Sequence, residues 1–267
     1  MATILDRIVA DTRAFVATRK AAVSVQTLAQ RALFSRPTLR LDEALRREHL
    51  AVIAEIKQAS PSKGLIRADY NVPEIARQYQ EHGADALSVL TEPFYFQGGL
   101  DHLATARMAV DLPVLRKDFI IDPYQLYEAR AYGADAVLLI AAVLDGPALY
   151  DLHQAAHELG LSCLVEVYDR QELDKLDFGQ IRVLGVNNRD LRTFKVDIDH
   201  ALRVFAEAPD TVVRVAESGL RSARELAYLR AHGVDAVLIG ETFMRAPNPG
   251  KALAALKSET ENVISDT

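Results

Sequence analysis

HGADALSVL, residues 82–90, ends one element and begins another within a single short phrase. His82 closes a helical pattern, Gly83 suits the left-handed residue that caps a helix, and an apolar, partly β-branched run then enters a strand. The phrase returns as YGADAVLLI at 132–140 and HGVDAVLIG at 232–240. A helix passing through a Gly cap into a strand, repeated along one chain, is the junction between successive βα units. One unit takes about 25 to 30 residues, since about 250 residues make eight. At that length Gly83, Gly133 and Gly233 mark intervals of two and four units.

Between and around these phrases lie further strand patterns. The full set reads AVIAEIK (51–57), ALSVLT (86–91), PVLRKD (113–118), AVLLIA (136–141), LSCLVEV (161–167), IRVLGVN (181–187), VVRVAES (212–218) and AVLIG (236–240). Amphipathic patterns separate them: VPEIARQYQEH, LDHLATARMAV, PYQLYEARAY, GPALYDLHQAAHEL, DHALRVFAEA and SARELAYLRAH. Strict alternation of short strands with helices predicts parallel βα units, and eight units predict a closed (β/α)8 TIM barrel. An open doubly wound sheet would also alternate, but no G-x-G-x-x-G fingerprint opens the first turn.

Residues 1–50 precede the first strand. Ile4, Leu5, Ile8, Val9, Phe15 and Val16 form one helical stripe, which predicts an N-terminal helical extension packed on the barrel. Such a helix could close the bottom of the barrel or help form its mouth, and spacing alone does not choose. The expected organisation is thus an extension over 1–50, a catalytic barrel over 51–260 and a C-terminal tail over 261–267.

Composition narrows the function. The chain of 267 residues carries 31 basic and 37 acidic side chains, a formal net charge of −6, which argues against nucleic acid or an anionic membrane as the main partner. Any anion site must be local. A single cysteine forms neither an intrachain disulfide nor a cysteine-rich zinc site. The N-terminus lacks a signal-peptide pattern, and no segment has the roughly 18 uncharged apolar residues of a membrane span. The expected location is the cytoplasm.

Strand parity locates the chemistry, because residues i and i+2 share a face. Ala51, Ile53, Glu55 and Lys57 share one face, with the charges at the C-terminal end, where barrel active sites lie. The pattern recurs in Leu115 and Lys117, in Ser162, Leu164 and Glu166, in Val183, Gly185 and Asn187, and in Val213, Val215 and Glu217. A salt bridge at a strand end would account for any one of these. Five strands aiming polar groups at one mouth are better explained by a liganded site.

The loops AESGLRS and IGETFMR place Gly at a strand end before a helix, in the two positions where barrels often bind phosphate. Ser218, Gly219, Gly240 and Glu241 are the expected phosphate nest, although tight turns alone would explain either glycine. Cys163 has the opposite parity and reads as a small core residue. Arg116, Asp118 and Arg214 share that outward parity, which predicts packing at strand ends or against helices. His82, His157 and His232 fall at helix ends, outside any ligand-like cluster, so no metal site is expected.

The blocks AEIKxxSPSKG, SVLTEPFYFQGG, LRKDFIIDPYQ, LVEV, GVNNRDL, VAESG and LIGE, preceded by ILxRIV, strongly resemble the indole-3-glycerol phosphate synthase family from about Ile4 to Pro249. The resemblance implies a phosphorylated small-molecule substrate, 1-(2-carboxyphenylamino)-1-deoxyribulose 5-phosphate, closed to an indole with loss of carbon dioxide and water by cofactor-free acid–base chemistry. It further implies that Lys117 is the principal general acid and that Glu166 serves the dehydration, with Glu55 and Lys57 as further active-site residues. Lys57 is also matched to an anionic group, phosphate or carboxylate. Asn187 and Glu217 match groups that orient hydroxyls, while Ser60 and Arg189 match binding groups. Leu90, Phe96, Phe119 and Leu138 match the wall around the anthranilate ring. One departure is Glu241, at a position often held by a small Ser, so its side chain is expected to point away from phosphate.

Rival readings are a phosphoribosylanthranilate isomerase, which would lack the extension and use a cysteine base, a class I aldolase with a Schiff base on Lys117, and a silent phosphate-binding partner subunit. Whether the chain associates weakly with other tryptophan-pathway enzymes is left open by the sequence.

Overall fold

The computed structural model describes residues 3–190 and 195–266. Met1, Ala2, residues 191–194 and Thr267 lie outside them, including the last residue of GVNNRDL and the outermost ends of the expected extension and tail. The strands are β1 (Ala51–Ile56), β2 (Ala59–Ser60), β3 (Gly64–Leu65), β4 (Ala86–Leu90), β5 (Val114–Lys117), β6 (Ala136–Ile140), β7 (Ser162–Val167), β8 (Val183–Asn187), β9 (Val213–Glu217) and β10 (Ala236–Ile239). All but the small antiparallel hairpin β2–β3 join in one closed parallel barrel, in the order β1-β10-β9-β8-β7-β6-β5-β4. The eight strands read from the sequence are these eight, trimmed by one or two residues at their ends.

The helices are α1 (Ile4–Ala22), α2 (Val25–Ala29), α3 (Leu41–Leu45), α4 (Val72–Glu81), α5 (Leu100–Ala109), α6 (Pro123–Ala131), α7 (Gly146–Glu158), α8 (Arg170–Leu173), α9 (Ile198–Phe205), α10 (Ala223–Ala231), α11 (Glu241–Met244) and α12 (Pro249–Ser265). Their starts are written locally. Asn71, Asp122, Asp145 and Ser222 cap α4, α6, α7 and α10 with side-chain oxygens, and Pro stands in the first turn of α4, α6 and α7. Their ends follow the repeated phrase: Gly83 and Gly133 lie at φ +89° and +84°, a conformation costly to residues bearing a Cβ.

Alternation along the strands builds two cores. Ala51, Ile53, Ala86, Leu115, Leu138, Leu164, Val183, Val215 and Leu238 fill the barrel, while Val52, Val89, Val137, Val165 and Val237 face the helices. Leu41 and Leu45 of α3 join the inner core beside the first residues of β1, β4 and β6. The Leu41 N–H donates to Ser162 Oγ at the start of β7. This helix therefore plugs the bottom of the barrel. The longer α1 lies elsewhere, against α6, where the Tyr124 hydroxyl donates to the Val23 carbonyl just past its end.

The helix expected after Gly240 is α11, whereas the hairpin and α12 are not among the patterns read from the sequence. Asn248 caps α12 and Pro249 occupies its first turn. Leu253 and Leu256 then bury its inner face. Among the described residues no helix is long and apolar enough to cross a membrane.

Candidate active site

One cavity opens at the C-terminal ends of the barrel strands. Its lining includes Glu55, Lys57, Ser60, Leu90, Phe96, Lys117, Phe119, Leu138, Glu166, Asn187, Arg189, Glu217, Ser218, Gly219, Gly240 and Glu241. Every candidate residue read from the sequence is thus brought to one place. The lining also includes Leu5 and Ile8 from α1, so the extension reaches both ends of the barrel, with α3 below and α1 at the mouth. Their stripe was visible in ILDRIV, but a stripe does not reveal which surface it meets.

Lys117 is the centre of the charged floor. Its Nζ lies 3.3 Å from Glu166 Oε2 and 3.2 Å from Glu217 Oε2, and all three side chains are largely buried. Burial pushes the Lys117 ammonium down, but Glu217, Glu166 and Glu55 outweigh it and the net shift is upward. Glu217 responds in the opposite sense. Burial raises its carboxyl, Lys117 opposes, Glu166 adds to the rise, and the group is pushed up to about 8. Among the described residues Glu217 Oε1 has no hydrogen-bond partner.

A second pair sits beside this cluster. Lys57 donates to Glu55 Oε1, and the same carboxyl is pushed up by burial but drawn down further by Lys57 and Lys117, so it stays ionised. Two glycines make room for these carboxylates. A Cβ on Gly185 would collide with Glu217 Oε1, and one on Gly240 with Glu55 Oε1. The absent side chains in GVN and LIGE are therefore part of the site.

Opposite the floor, Ser218 and Gly219 adopt successive left-handed conformations, φ +69° and +80°. Positive φ at a non-glycine costs free energy, and the next residue is a glycine at which an added Cβ would collide with Val196. Glu241 lines the same cavity. Its carboxylate turns to cations at the rim: Arg245 Nε at 3.1 Å, Lys63 Nζ at 3.8 Å and Arg189 Nη2 at 3.9 Å. These attractions outweigh the burial that would raise it and hold its carboxyl below the usual range. Lys63 was not singled out from the sequence, because the SPSK turn gives no hint of what stands across the mouth.

The remaining wall is apolar. Phe96 and Phe119 have ring centroids 6.2 Å apart, tilted by 42°, beside Leu90 and Leu138. Cys163 faces the helices, where burial pushes its thiol up to about 12.

The geometry can be set beside known proteins. The family model described as indole-3-glycerol phosphate synthase matches residues 5–256. A protein of that name from Salinibacter ruber is 56% identical over 265 residues, covering 98% of each chain. Another from Rhodopirellula baltica is 46% identical over 256 residues, covering 95% of this chain and 98% of that one. Among solved structures, 3-hexulose-6-phosphate synthase from Salmonella typhimurium superposes with a TM-score of 0.63 at 16% identity, over 81% of this chain and 99% of the other. The tryptophan synthase alpha subunit from Legionella pneumophila gives 0.58 at 14% identity, over 85% and 98%. At such identities these two structures speak for the barrel fold alone.

Proposed function

The chain belongs to the indole-3-glycerol phosphate synthase family, carboxy-lyases of tryptophan biosynthesis, and on that premise we propose how its barrel mouth divides the work of ring closure. The substrate, 1-(2-carboxyphenylamino)-1-deoxyribulose 5-phosphate, spans the cavity. Its aromatic ring lies against Leu90, Phe96, Phe119 and Leu138, and its phosphate meets the nest of Ser218, Gly219 and Gly240. Pinning both ends brings the ring carbon that bears the carboxylate against the ketone, which replaces a search through open conformers.

Lys117 donates a proton to the ketone oxygen as the ring carbon attacks, since an ammonium both supplies the proton and stabilises the developing alkoxide. The new carbon–carbon bond leaves that ring carbon saturated. Loss of carbon dioxide returns the bonding pair to the ring and restores aromaticity. In the dehydration, a proton leaves the methylene next to nitrogen for Glu166, and the new hydroxyl departs as water with a proton from a neighbouring acid. Glu217, held largely neutral at pH 7, is suited to that donation and to orienting hydroxyls together with Asn187. Lys57, tethered to Glu55, offers its remaining N–H donors to an anionic group of the substrate, with Ser60 and Arg189 as further binding groups.

The observation that carries this reading is the Lys117 ammonium buried between two carboxylates, one of them raised toward neutrality, inside a cavity whose lining combines apolar residues with the Ser218–Gly219 and Gly240–Glu241 loops. The chain contains no tryptophan, so indole fluorescence that grows after mixing with substrate reports product. Absence of that signal from folded protein would overturn the assignment.

A further inference from the structure

Among the described residues Arg116 is the largest side chain that is fully buried, yet it does not line the cavity. It stands on β5 immediately before Lys117 and points the other way, between the strand and α6. A buried guanidinium is costly unless each of its donors is used. Here they are. Nε donates to Thr91 Oγ1 at 3.1 Å, Nη2 to Asp118 Oδ2 at 2.8 Å, and Nη1 to the Gln125 carbonyl at 2.6 Å. Glu128 Oε2, at 3.4 Å, completes the set and also accepts from Arg19 Nη2 of α1 at 2.8 Å.

The end of β5 depends on this arrangement because sheet pairing stops there. Pairing with β4 ends at Lys117 and pairing with β6 ends at Arg116. Beyond those points side chains hold the backbone. Asp118 Oδ1 accepts from the Phe119 N–H at 2.9 Å, and Gln125 Nε2 donates to the Phe119 carbonyl at 2.9 Å. Asp118 is itself held by Arg116 and by the Thr91 hydroxyl, which donates to Oδ2 at 2.5 Å. Arg116 therefore ties together the two groups that clamp the backbone of Phe119, and it does so one residue from Lys117. Through Glu128 and Arg19 the same cluster meets the helix whose Leu5 and Ile8 line the mouth.

We propose that Arg116 is a positioning residue for the reaction: from outside the cavity it fixes the Lys117–Phe119 end of β5, and so the distance of the Lys117 ammonium from the reacting ketone. The inference rests on the reading of Lys117 as the general acid. A misplacement of about 1 Å in such a group can cost on the order of a hundredfold in rate.

The test is a double-mutant cycle on kcat, measured in single turnovers well below the melting temperature. Arg116→Lys keeps the charge and loses the planar fork. Its kcat is expected to fall about 20-fold or more, with KM changed less than about threefold. In the Lys117→Ala background the same substitution is expected to cost less than about twofold, because the group it positions is gone. Thr91→Val, nearly isosteric, carries the same test should Arg116→Lys fail to fold. Unchanged kcat in Arg116→Lys beside a crippled Lys117→Ala overturns this inference alone, as does an equal loss in both backgrounds, which would mark a general structural role. Full activity in Lys117→Ala overturns the assignment of Lys117 and this inference with it.

Discussion

Lys117 Nζ and Glu217 Oε2 stand 3.2 Å apart although their strands, β5 and β9, lie on opposite sides of the barrel, four places apart in either direction around the ring. Side chains from facing strands meet across the barrel axis, and the burial that results strengthens the coupling between the two groups.

On the proposed mechanism, replacement of Lys117 by Ala removes both the proton donor and the cation facing the developing alkoxide. The expected loss in kcat is about 10²–10⁴-fold, with a much smaller change in KM. Single-turnover formation of indole fluorescence measures it. A kcat within threefold of the parent would exclude Lys117 as the acid.

The raised Glu217 carboxyl gives stability a signed dependence on pH. Its folded value, about 8, lies above the ordinary 4.5, so between these pH values the folded protein binds more protons than the unfolded one. Stability contributed by this group is full below the ordinary value and is lost as pH rises toward 8. Glu217→Gln keeps the neutral shape at every pH. Its melting temperature relative to the parent should therefore climb from pH 5 to pH 9, and a difference that stays flat would contradict the shift.

Glu241 places a negative charge among Lys63, Arg189 and Arg245 at the cavity rim, where the proposed function seats the phosphate. Glu241→Gln frees these cations from an internal competitor, so KM for substrate should fall a few-fold and inorganic phosphate should inhibit more strongly. Lys63→Ala should act in the opposite direction. Inhibition constants measured at fixed ionic strength decide it, since screening acts on these exposed charges.

Gly240→Ala would drive a methyl group against the Glu55 carboxylate, and Gly185→Ala against that of Glu217. Each should lower stability by about 1–3 kcal/mol through overpacking. Each should also reduce kcat more than tenfold, because the displaced group is a carboxylate of the site. Thermal melts paired with turnover at low temperature separate the two effects.

Much of the barrel was legible because its units are local. The phrase His82–Leu90 contains a helix end, a cap and a strand start, and parity along Val213–Glu217 fixes which side chains face inward wherever a barrel closes. Parity also separated Lys117 from Arg116 and Cys163 from Glu166. It could not say what Arg116 does, because Glu128 and Arg19 come from helices whose approach to β5 no spacing encodes.

The sequence by itself determined the periodic facts: eight strands, their inward faces, and the glycines that end helices. Only the tertiary structure decided which charges meet. It placed α3 beneath the barrel and α1 at its mouth, joined Lys117 to Glu217 across the axis, and turned Glu241 toward Lys63. Facing directions follow from backbone geometry repeated residue by residue, whereas electrostatic pairing depends on distance and burial, which exist only once the ring of strands has closed.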